Sequence, residues 1–220
     1  MAAAVVQTKV SASVVSLSST PTNLAFDAPV TGGNAVVVIV AVGSTASTIA
    51  ASDATNGTYD VTVSADDGAE MSATRSKRNL TGGFSTVSVT SSVTGNGVVF
   101  MFEVSGLDTG AAPSTGSIEN GSGSTSHVSS ASGLSGTGFS VCGAMLNTIV
   151  ATEGTGWTPL ASPSTARFCQ YRTGTVSNND GPFTTASGTG SIAVMAVFAE
   201  AAGVGGGSKP PRSRSTLGVG

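Results

Sequence analysis

This 220-residue chain has little charge, few aromatic rings and no long apolar segment. Charged residues make up 10% of the sequence and aromatic residues 5%, and histidine and tryptophan occur once each. The longest unbroken apolar runs, Ala35–Val42 and Ile192–Ala199, have eight residues each, whereas a transmembrane helix needs about 20. With 9 basic and 12 acidic residues the formal net charge is −3, which provides no basic field for nucleic acid. We therefore expect neither a membrane-spanning helix nor a nucleic-acid-binding surface.

The N-terminal residues lack the basic region and the following apolar stretch of about 7–15 residues that mark a secretory signal. We therefore expect that the protein stays in the cytosol of its maker or reaches the outside by assembly. Cysteine is also scarce, with only Cys142 and Cys169, each inside an apolar stretch. A chain of this length needs no disulfide framework, so two buried thiols are the simplest interpretation, and a bridge between neighbouring strands is the alternative.

Small and β-branched residues are abundant, since Gly, Ser, Thr, Ala and Val supply about two thirds of the chain. No window shows the apolar spacing of an amphipathic helix, whereas Val and Thr suit a pleated sheet. The sequence therefore predicts one all-β antiparallel sandwich domain over residues 1–200. The expected strands lie near Val5–Leu17, Ala35–Val42, Thr58–Val63, Glu70–Arg78, Phe84–Thr90, Val98–Ser105, Gly138–Asn147, Arg167–Tyr171 and Ser191–Ala199.

Two of these strands, Ala35–Val42 and Ile192–Ala199, are apolar on both faces, which is typical of central strands. In the Val98–Ser105 strand, Phe100 and Phe102 share one face, and we expect that face to lie in the core.

Turns and loops are predicted from glycine-rich stretches. The dipeptides Asn56-Gly57, Asn96-Gly97 and Asn120-Gly121 are the strongest tight-turn signals, because a type I′ turn needs positive φ at both central residues. Between Asp108 and Gly138 the chain is almost wholly Gly, Ser, Thr and Ala. This composition favours either a long wrapping loop or a set of short edge strands.

The strand pattern stops after Ala199, and residues 201–220 form a Gly-rich linker followed by a basic, proline-containing peptide. Residues 1–200 hold 6 basic and 12 acidic groups, a net charge of −6, while the tail carries +3. Gly and Ser side chains cannot offset the entropy of ordering such a tail, so we expect an arm that becomes ordered on a partner subunit. The predicted partner-binding residues are Lys209, Arg212, Arg214, Leu217 and Val219.

Residues suited to catalysis are few. Nucleophilic catalysis by Ser or Cys needs an imidazole, and the only one, His127, lies in a serine-rich segment that we interpret as a solvated loop. Glu103 and Glu153 are candidates for the carboxylate pair of a glycosidase, although the polar face of an edge strand is the simpler place for Glu103. The sequence therefore predicts no catalytic residues and no cofactor.

The acidic segment Asp66-Asp67-Gly68, with Asp53 or Asp60, offers oxygens of the kind that calcium binds. The EF-hand spacing is missing, so a plain acidic turn is the simpler interpretation and we expect no metal. A second charged group, Arg75-Ser-Lys77-Arg78, lies at a predicted strand end. It would suit an acidic partner, but charges that protect a solvated sheet edge are the simpler interpretation.

Carbohydrate binding usually requires an exposed aromatic platform. Most of the aromatic residues are phenylalanines at strand positions, where filling the core is the default expectation. Trp157 and Tyr171 are the pair that we would test as a sugar-stacking surface.

Six segments follow one another in an order that is typical of a known module: Thr31–Gly43, Ser52–Tyr59, Gly82–Thr90, Val98–Asp108, Gly154–Thr158 and Ser191–Phe198. In their strand and turn patterns they resemble a jelly-roll-like β-sandwich module of tailed-phage virion proteins and bacterial surface proteins. The resemblance covers roughly residues 30–199 and brings no catalytic set with it. The N-terminal strand, residues 5–17, and the tail depart from the common pattern.

The resemblance implies a non-enzymatic structural protein of a tailed-phage virion, either a capsid decoration protein or a tail-associated one. Its fold would be a single jelly-roll-like sandwich with an extended C-terminal tail, and its partners would be other virion proteins and further copies of itself. Such a protein is made in the host cytoplasm and leaves by lysis. A carbohydrate-binding module for a host-surface glycan is the first alternative. A glycoside hydrolase or lyase that uses Glu103 is the second.

Overall fold

The computed structural model describes residues 2–44, 48–130, 136–146, 150–176 and 180–202, and it describes the backbone alone at 118–124, 129–130, 176, 180, 187 and 189. The predicted arm residues Lys209, Arg212, Arg214, Leu217 and Val219 lie outside the described residues. Every regular element in the described part is a β-strand, and the strands pair in antiparallel fashion. The predicted all-β sandwich is therefore confirmed.

In chain order the strands are β1 (Ala4–Val10), β2 (Val15–Leu17), β3 (Thr22–Ala25), β4 (Ala35–Gly43), β5 (Ile49–Asp53), β6 (Gly57–Thr58), β7 (Asp60–Asp66), β8 (Met71–Lys77), β9 (Thr86–Ser91), β10 (Gly95–Ser105), β11 (Ser114–Ser130), β12 (Gly136–Leu146), β13 (Ala151–Glu153), β14 (Thr158–Pro159), β15 (Arg167–Val176) and β16 (Asp180–Ala199). They form three sheets. The central sheet has the order β1-β10-β4-β8-β7, with β2 also on β10. The four-stranded sheet has the order β3-β9-β5-β6, and the long sheet has the order β11-β16-β12-β15-β14, with β13 also on β16.

The central sheet lies between the other two sheets, because alternate residues of its strands enter different cores. In β4, Val36, Val38, Val40 and Val42 pack against the four-stranded sheet. Val37 and Ile39 point the other way and join the core that contains Phe139 and Phe198 of the long sheet. Such a strand must be apolar on both faces, which explains the uninterrupted apolar run predicted to be central. The described part of the sandwich therefore has three stacked layers.

Strand β10 is covered in the same way. Phe100 and Phe102 are fully buried against the long sheet, as predicted. Val99 and Met101 on the opposite face are equally buried, against the four-stranded sheet. Both faces of this strand therefore lie in a core, whereas the sequence pattern indicated only one.

Two sequence-based strand assignments are corrected by tertiary contacts. The long N-terminal strand expected over residues 5–17 is two strands, β1 and β2, which pair with different parts of β10. The segment between Asp108 and Gly138 contains one 17-residue strand, β11, rather than a loop or several short strands. Strand β11 pairs with β16 along almost its whole length. This pairing makes the segment a strand although its composition has little strand preference.

Of the three Asn-Gly dipeptides, only Asn56-Gly57 lies at a tight turn. Gly57 has φ 72° and closes the hairpin between β5 and β6. Asn96 and Gly97 lie inside β10, and Asn120 lies inside β11 beside an irregularity in its pairing. At Gly97 a Cβ atom would come within 2.9 Å of Leu17 Cδ1, so this glycine permits close packing rather than a turn.

One end of the long sheet folds back over its outer face. The pairing of β11 with β16 shifts between Asn120 and Ser126, and beyond this shift residues 126–130, 151–153 and 180–185 form a short three-stranded unit, here called the flap. Phe183 of the flap packs with Phe168 and Met195 of the long sheet in a separate core. The flap therefore buries the face of the long sheet that points away from the central sheet.

Candidate functional site

His127 is fully buried in β11, so the predicted solvated loop is wrong at this position. Its Nδ1 lies 2.7 Å from Ser191 Oγ, its Nε2 lies 3.2 Å from Thr185 Oγ1, and its ring stacks on Phe183 at 4.9 Å. Thr185 belongs to the flap and Ser191 to the straight part of β16, so the imidazole joins the two sides of the bend. A serine hydroxyl at hydrogen-bond distance from an imidazole is the arrangement of a base and its nucleophile. Both groups are buried here, and a substrate could not reach them without opening the flap.

Glu103 is also fully buried, on the central strand β10 rather than on an edge strand as predicted. Its carboxylate accepts hydrogen bonds from Gln7 Nε2 at 2.5 Å, from the Thr31 backbone N–H at 2.9 Å and from Asn34 Nδ2 at 2.6 Å. These donors tie β1 and the loop before β4 to β10, and they compensate for the burial of the carboxylate. Glu153 lies in β13 of the flap, in another sheet, so the two carboxylates do not form a glycosidase pair.

The acidic side chains proposed for calcium are engaged in local turns. Asp66 Oδ1 accepts the Gly68 N–H, and Asp67 Oδ1 accepts the N–H groups of Ala69 and Glu70. Asp53 belongs to the four-stranded sheet, where its Oδ1 accepts the backbone N–H groups of Thr55 and Asn56. Among the described residues no three His, Cys, Asp or Glu side chains gather in a way that would hold a metal ion.

The basic group at the end of β8 does not form one solvated cluster. Arg75 is buried, and its guanidinium donates to the carbonyl oxygens of Ile49 and Thr74 and to Ser64 Oγ. Burial lowers the pKa of this guanidinium. Arg78 donates to the backbone carbonyl oxygens of Asp108 and Ala111. Both arginines therefore stabilise the fold, since each supplies donors to loop or strand carbonyls.

Both cysteines are buried and neither forms a disulfide, which confirms the simpler interpretation. Cys142 of β12 pairs with Gln170 of β15, and Cys169 pairs with Gly143, so the two thiols lie on opposite faces of the long sheet. Burial raises the pKa of Cys142 to about 12 and raises that of Cys169 as well. The Cys142 thiol contacts the Gly181 carbonyl oxygen of the flap at 3.7 Å.

The two aromatic residues proposed for sugar stacking do not share a surface. Trp157 is 6% exposed and belongs to the core beneath the flap, and the guanidinium carbon of Arg172 lies 4.8 Å from its ring centroid. Tyr171 is half-buried on the opposite face of β15, and its ring packs against Phe102 at 5.3 Å. A platform built from both rings is therefore absent from the described surface.

Tyr171 does line a pocket, whose other residues were not predicted as site residues. This pocket of about 420 Å³ lies where β1 of the central sheet approaches the edge of the long sheet. It is called the edge pocket below. It is lined by Ala4, Val5, Gly156, Thr158, Tyr171, Arg172 and Thr173.

A second cleft of about 280 Å³ lies between β13 and the start of β15 and includes Glu153 and Arg167. Arg167 donates to the Asn96 carbonyl oxygen at 2.8 Å, so its guanidinium already joins the long sheet to β10. Burial lowers the pKa of this arginine, and Glu70 partly offsets that effect. The cleft is mainly apolar and holds one acid and one base, which indicates no particular reaction.

No protein-family profile, curated protein or solved structure matches the chain significantly. In the described part of the chain there is no helix that could cross a membrane. The strands, the buried side chains and the pockets are thus the observations from which a function can be argued.

Proposed function

We propose that this protein is a non-enzymatic structural subunit of a tailed-phage virion, on the capsid or the tail. The proposal of a structural rather than catalytic role rests on where the potentially reactive side chains lie. His127, Glu103, Cys142 and Cys169 are all fully buried, and the first three contact neighbouring groups of the fold. They therefore stabilise packing. The proposal that the protein belongs to a virion rests on the resemblance of its strand and turn segments to modules of virion proteins.

The architecture suits a structural subunit that contacts its neighbours through its outer surfaces. Three stacked sheets bury both faces of the central sheet, which gives a densely packed body. The basic arm, with Lys209, Arg212 and Arg214 followed by Leu217 and Val219, would contact acidic and apolar groups of a neighbouring subunit. The acidic body of a second copy and another virion protein are both acceptable partners.

The location can be tested in lysates of cells that produce this protein. Particles purified by density-gradient centrifugation should contain it in a fixed ratio to the major capsid protein, and antibody labelling in electron microscopy would separate capsid from tail. A matched lysate in which the coding sequence is deleted is the control. Recovery of the protein only from the soluble fraction, with none in particles, would reject the virion role.

The arm is tested by deleting residues 205–220. The truncated protein should keep its melting temperature within about 2 °C, because a segment with so few groups to bury adds little to stability. Its incorporation into particles or oligomers should fall. The control is Lys209→Gln with Arg212→Gln and Arg214→Gln in the full-length chain, which removes charge alone. Normal incorporation of both variants would show that the arm is dispensable.

A further inference from the structure

Strand β7 (Asp60–Asp66) ends the central sheet on one side and has an edge to which another strand can be added. We propose that residues 212–219 of the basic arm of a second copy pair with this edge as an antiparallel strand. The inference rests on the arm of the proposed function and names the surface that receives it. It does not depend on whether the resulting oligomer belongs to a virion.

The backbone of β7 has groups that its neighbour does not use. Among the described residues, β7 pairs with β8 alone. The Asp67 N–H donates to the Glu70 carbonyl oxygen where the β7–β8 hairpin closes. Because backbone groups alternate along an antiparallel pair, those of Ala65 then face β8, and those of Ser64 and Asp66 face outward. Outward N–H and C=O groups of an edge strand are the groups that bind an added strand.

The side chains of β7 leave this edge accessible and hold it in place. Asp60 and Asp66, at the two ends of the strand, are exposed, and Val61 is 71% exposed. Ala65 is buried against Ile192 of the long sheet. An added strand would therefore meet a fixed backbone and could cover an apolar side chain that now faces water.

Charge determines which strand can be added. A second β7 strand in antiparallel pairing would bring acidic residues together, because both ends of β7 carry an aspartate, and like charges on paired strands are unfavourable. A basic strand is attracted instead. Residues 1–200 hold 6 basic and 12 acidic groups, whereas residues 201–220 hold three basic groups and no acidic one. Within this chain the arm is therefore the segment with the complementary charge.

The sequence of the arm suits a strand with one basic face. In an extended backbone Arg212 and Arg214 would share one face, and Leu217 would lie on the other. Antiparallel pairing that sets Arg212 opposite Asp66 gives an ion pair across the two strands. In the same register Arg214 lies opposite Ser64, and the apolar end of the arm runs toward the exposed valine of β7.

The arm leaves the body beside its own β7, at the Asp60 end. The Ala201 N–H donates to the Gly106 carbonyl oxygen just before the arm begins. Arg78 connects this point to β7, because it donates to the Asp108 carbonyl oxygen and lines a pocket together with Asp60. An arm that pairs in antiparallel fashion must enter at the opposite end of β7.

This geometry favours the arm of a second copy over the chain's own arm. Residues 203–211 span at most about 30 Å when fully extended, and β7 with its seven residues is about 24 Å long. The chain's own arm would have to cover that length and then reverse direction at Pro210 and Pro211, which favour extended backbone. Reciprocal exchange between two copies needs no such reversal and closes a symmetric dimer.

Sedimentation equilibrium of the full-length protein provides the first test. The wild type should associate as its concentration is raised, and the association should weaken as salt is raised. Ser64→Pro removes the outward N–H without removing a bond to β8, so it should raise the dissociation constant at least about tenfold. Ser64→Ala is the matched control. Both variants lose the hydroxyl that Arg75 contacts, but alanine keeps the N–H and should associate as the wild type does.

A charge exchange tests the register and replaces Ser64→Pro if that variant does not fold. Asp66→Lys and Arg212→Glu should each weaken association about tenfold, because each places like charges on opposed residues. The two substitutions in one chain restore opposite charges and should return the dissociation constant to within about threefold of the wild type.

Mixed disulfides test whether the contact joins two chains. Opposed residues of a hydrogen-bonded antiparallel pair have Cα atoms about 5.5 Å apart, a separation that a disulfide spans. A mixture of Ser64→Cys chains and Arg214→Cys chains should therefore give a covalent heterodimer on oxidation. Each variant alone should give little cross-linked product. The native cysteines are buried and should not interfere.

Three results would overturn the proposal: a wild type that stays monomeric at every concentration, equal association of Ser64→Pro and Ser64→Ala, or a charge exchange that does not restore association. All three are measured on purified protein, so they are independent of whether the protein is found in particles. Loss of the virion role would leave them unchanged.

Discussion

The central sheet and the flap bury their surfaces by different means. In the central sheet, Val, Ile and Phe side chains of β4 and β10 fill two cores. The flap covers a smaller apolar core around Phe183 and is linked to the long sheet by single polar contacts: His127 to Ser191, Gln170 to the Pro182 carbonyl oxygen, and Cys142 to the Gly181 carbonyl oxygen. Apolar packing tolerates small shifts, whereas a hydrogen bond depends on one geometry. The flap should therefore open as a unit while the central sheet stays folded.

The largest expected effect breaks the central sheet itself. Phe100→Ala should lower the free energy of unfolding by about 3–5 kcal/mol, because the ring is fully buried between two sheets and leaves a cavity. Urea unfolding followed by circular dichroism measures this change. The control is Val61→Ala, at a side chain that is 71% exposed, which should change the free energy of unfolding by less than about 0.5 kcal/mol. A loss below about 1 kcal/mol for Phe100→Ala would contradict the three-layer packing.

A smaller effect is expected for a variant that weakens the flap. His127→Ala removes both imidazole contacts and the stacking on Phe183, and it leaves the buried Ser191 hydroxyl without this partner. Opening of the flap should become easier by about 1–3 kcal/mol, and the global unfolding free energy should fall by a similar amount because the same contacts are lost in the unfolded state.

The two cysteines report this opening separately. Cys142 lies beneath the flap, whereas Cys169 lies in the core between the central and long sheets. Under native conditions alkylation of Cys142 by N-ethylmaleimide should be faster than that of Cys169, because flap opening needs less free energy than global unfolding, and His127→Ala should accelerate it about tenfold to a hundredfold. Thr125→Ala, an exposed neighbour on the same strand, is the control. Equal alkylation rates at the two thiols would mean that the flap and the sandwich unfold together.

The smallest effect concerns Glu70, at the turn between β7 and β8. Burial raises the pKa of its carboxyl group, Asp67 adds to this, and Arg167 partly opposes it. A carboxyl whose pKa is higher in the folded state binds its proton more tightly there, so its contribution to stability is lost as the pH rises through that pKa. Glu70→Gln should therefore raise the melting temperature slightly at pH 7. The difference should vanish near pH 3, where the carboxyl is protonated in both states. A lower melting temperature at pH 7 would show that attraction to Arg167 outweighs burial.

Periodicity in the sequence was enough to predict the parts of the fold that are locally determined. In β4 and in the second half of β16 the side chains are apolar on both faces, so burial can be predicted from the residues themselves. Both strands were predicted at the positions where they occur. Strand β11 was not, because most of its residues are Gly and Ser, which have little strand preference, and pairing with β16 extends them. The prediction of a tight turn at Asn96-Gly97 was wrong for a related reason. Gly97 allows a close contact with Leu17, which lies 80 residues away in the sequence.

The candidate site was predicted only in part. Tyr171 was singled out for its ring and does line the edge pocket, but Trp157 lies in a core on the other face of the sheet. Because side chains alternate along a strand, neighbouring residues of β15 point to opposite faces of the sheet. The sequence does not show where the partner strand β14 ends, and therefore does not show where the edge of β15 is left uncovered. Arg172 follows Tyr171 directly, and the indole of Trp157 on which it stacks is brought to it only by the folded chain.

The burial of β4 on both faces has a consequence for synthesis of the chain. Its four-stranded cover comes from residues 22–91, but the residues that cover Val37 and Ile39, such as Phe139 and Phe198, are made much later. Until then Ala35–Val42, which has no charge, glycine or proline, stays exposed on one face of a nascent sheet. Such segments associate readily with copies of themselves. Yield should therefore depend on how quickly translation and docking of the C-terminal half follow, and slow elongation should favour inclusion bodies.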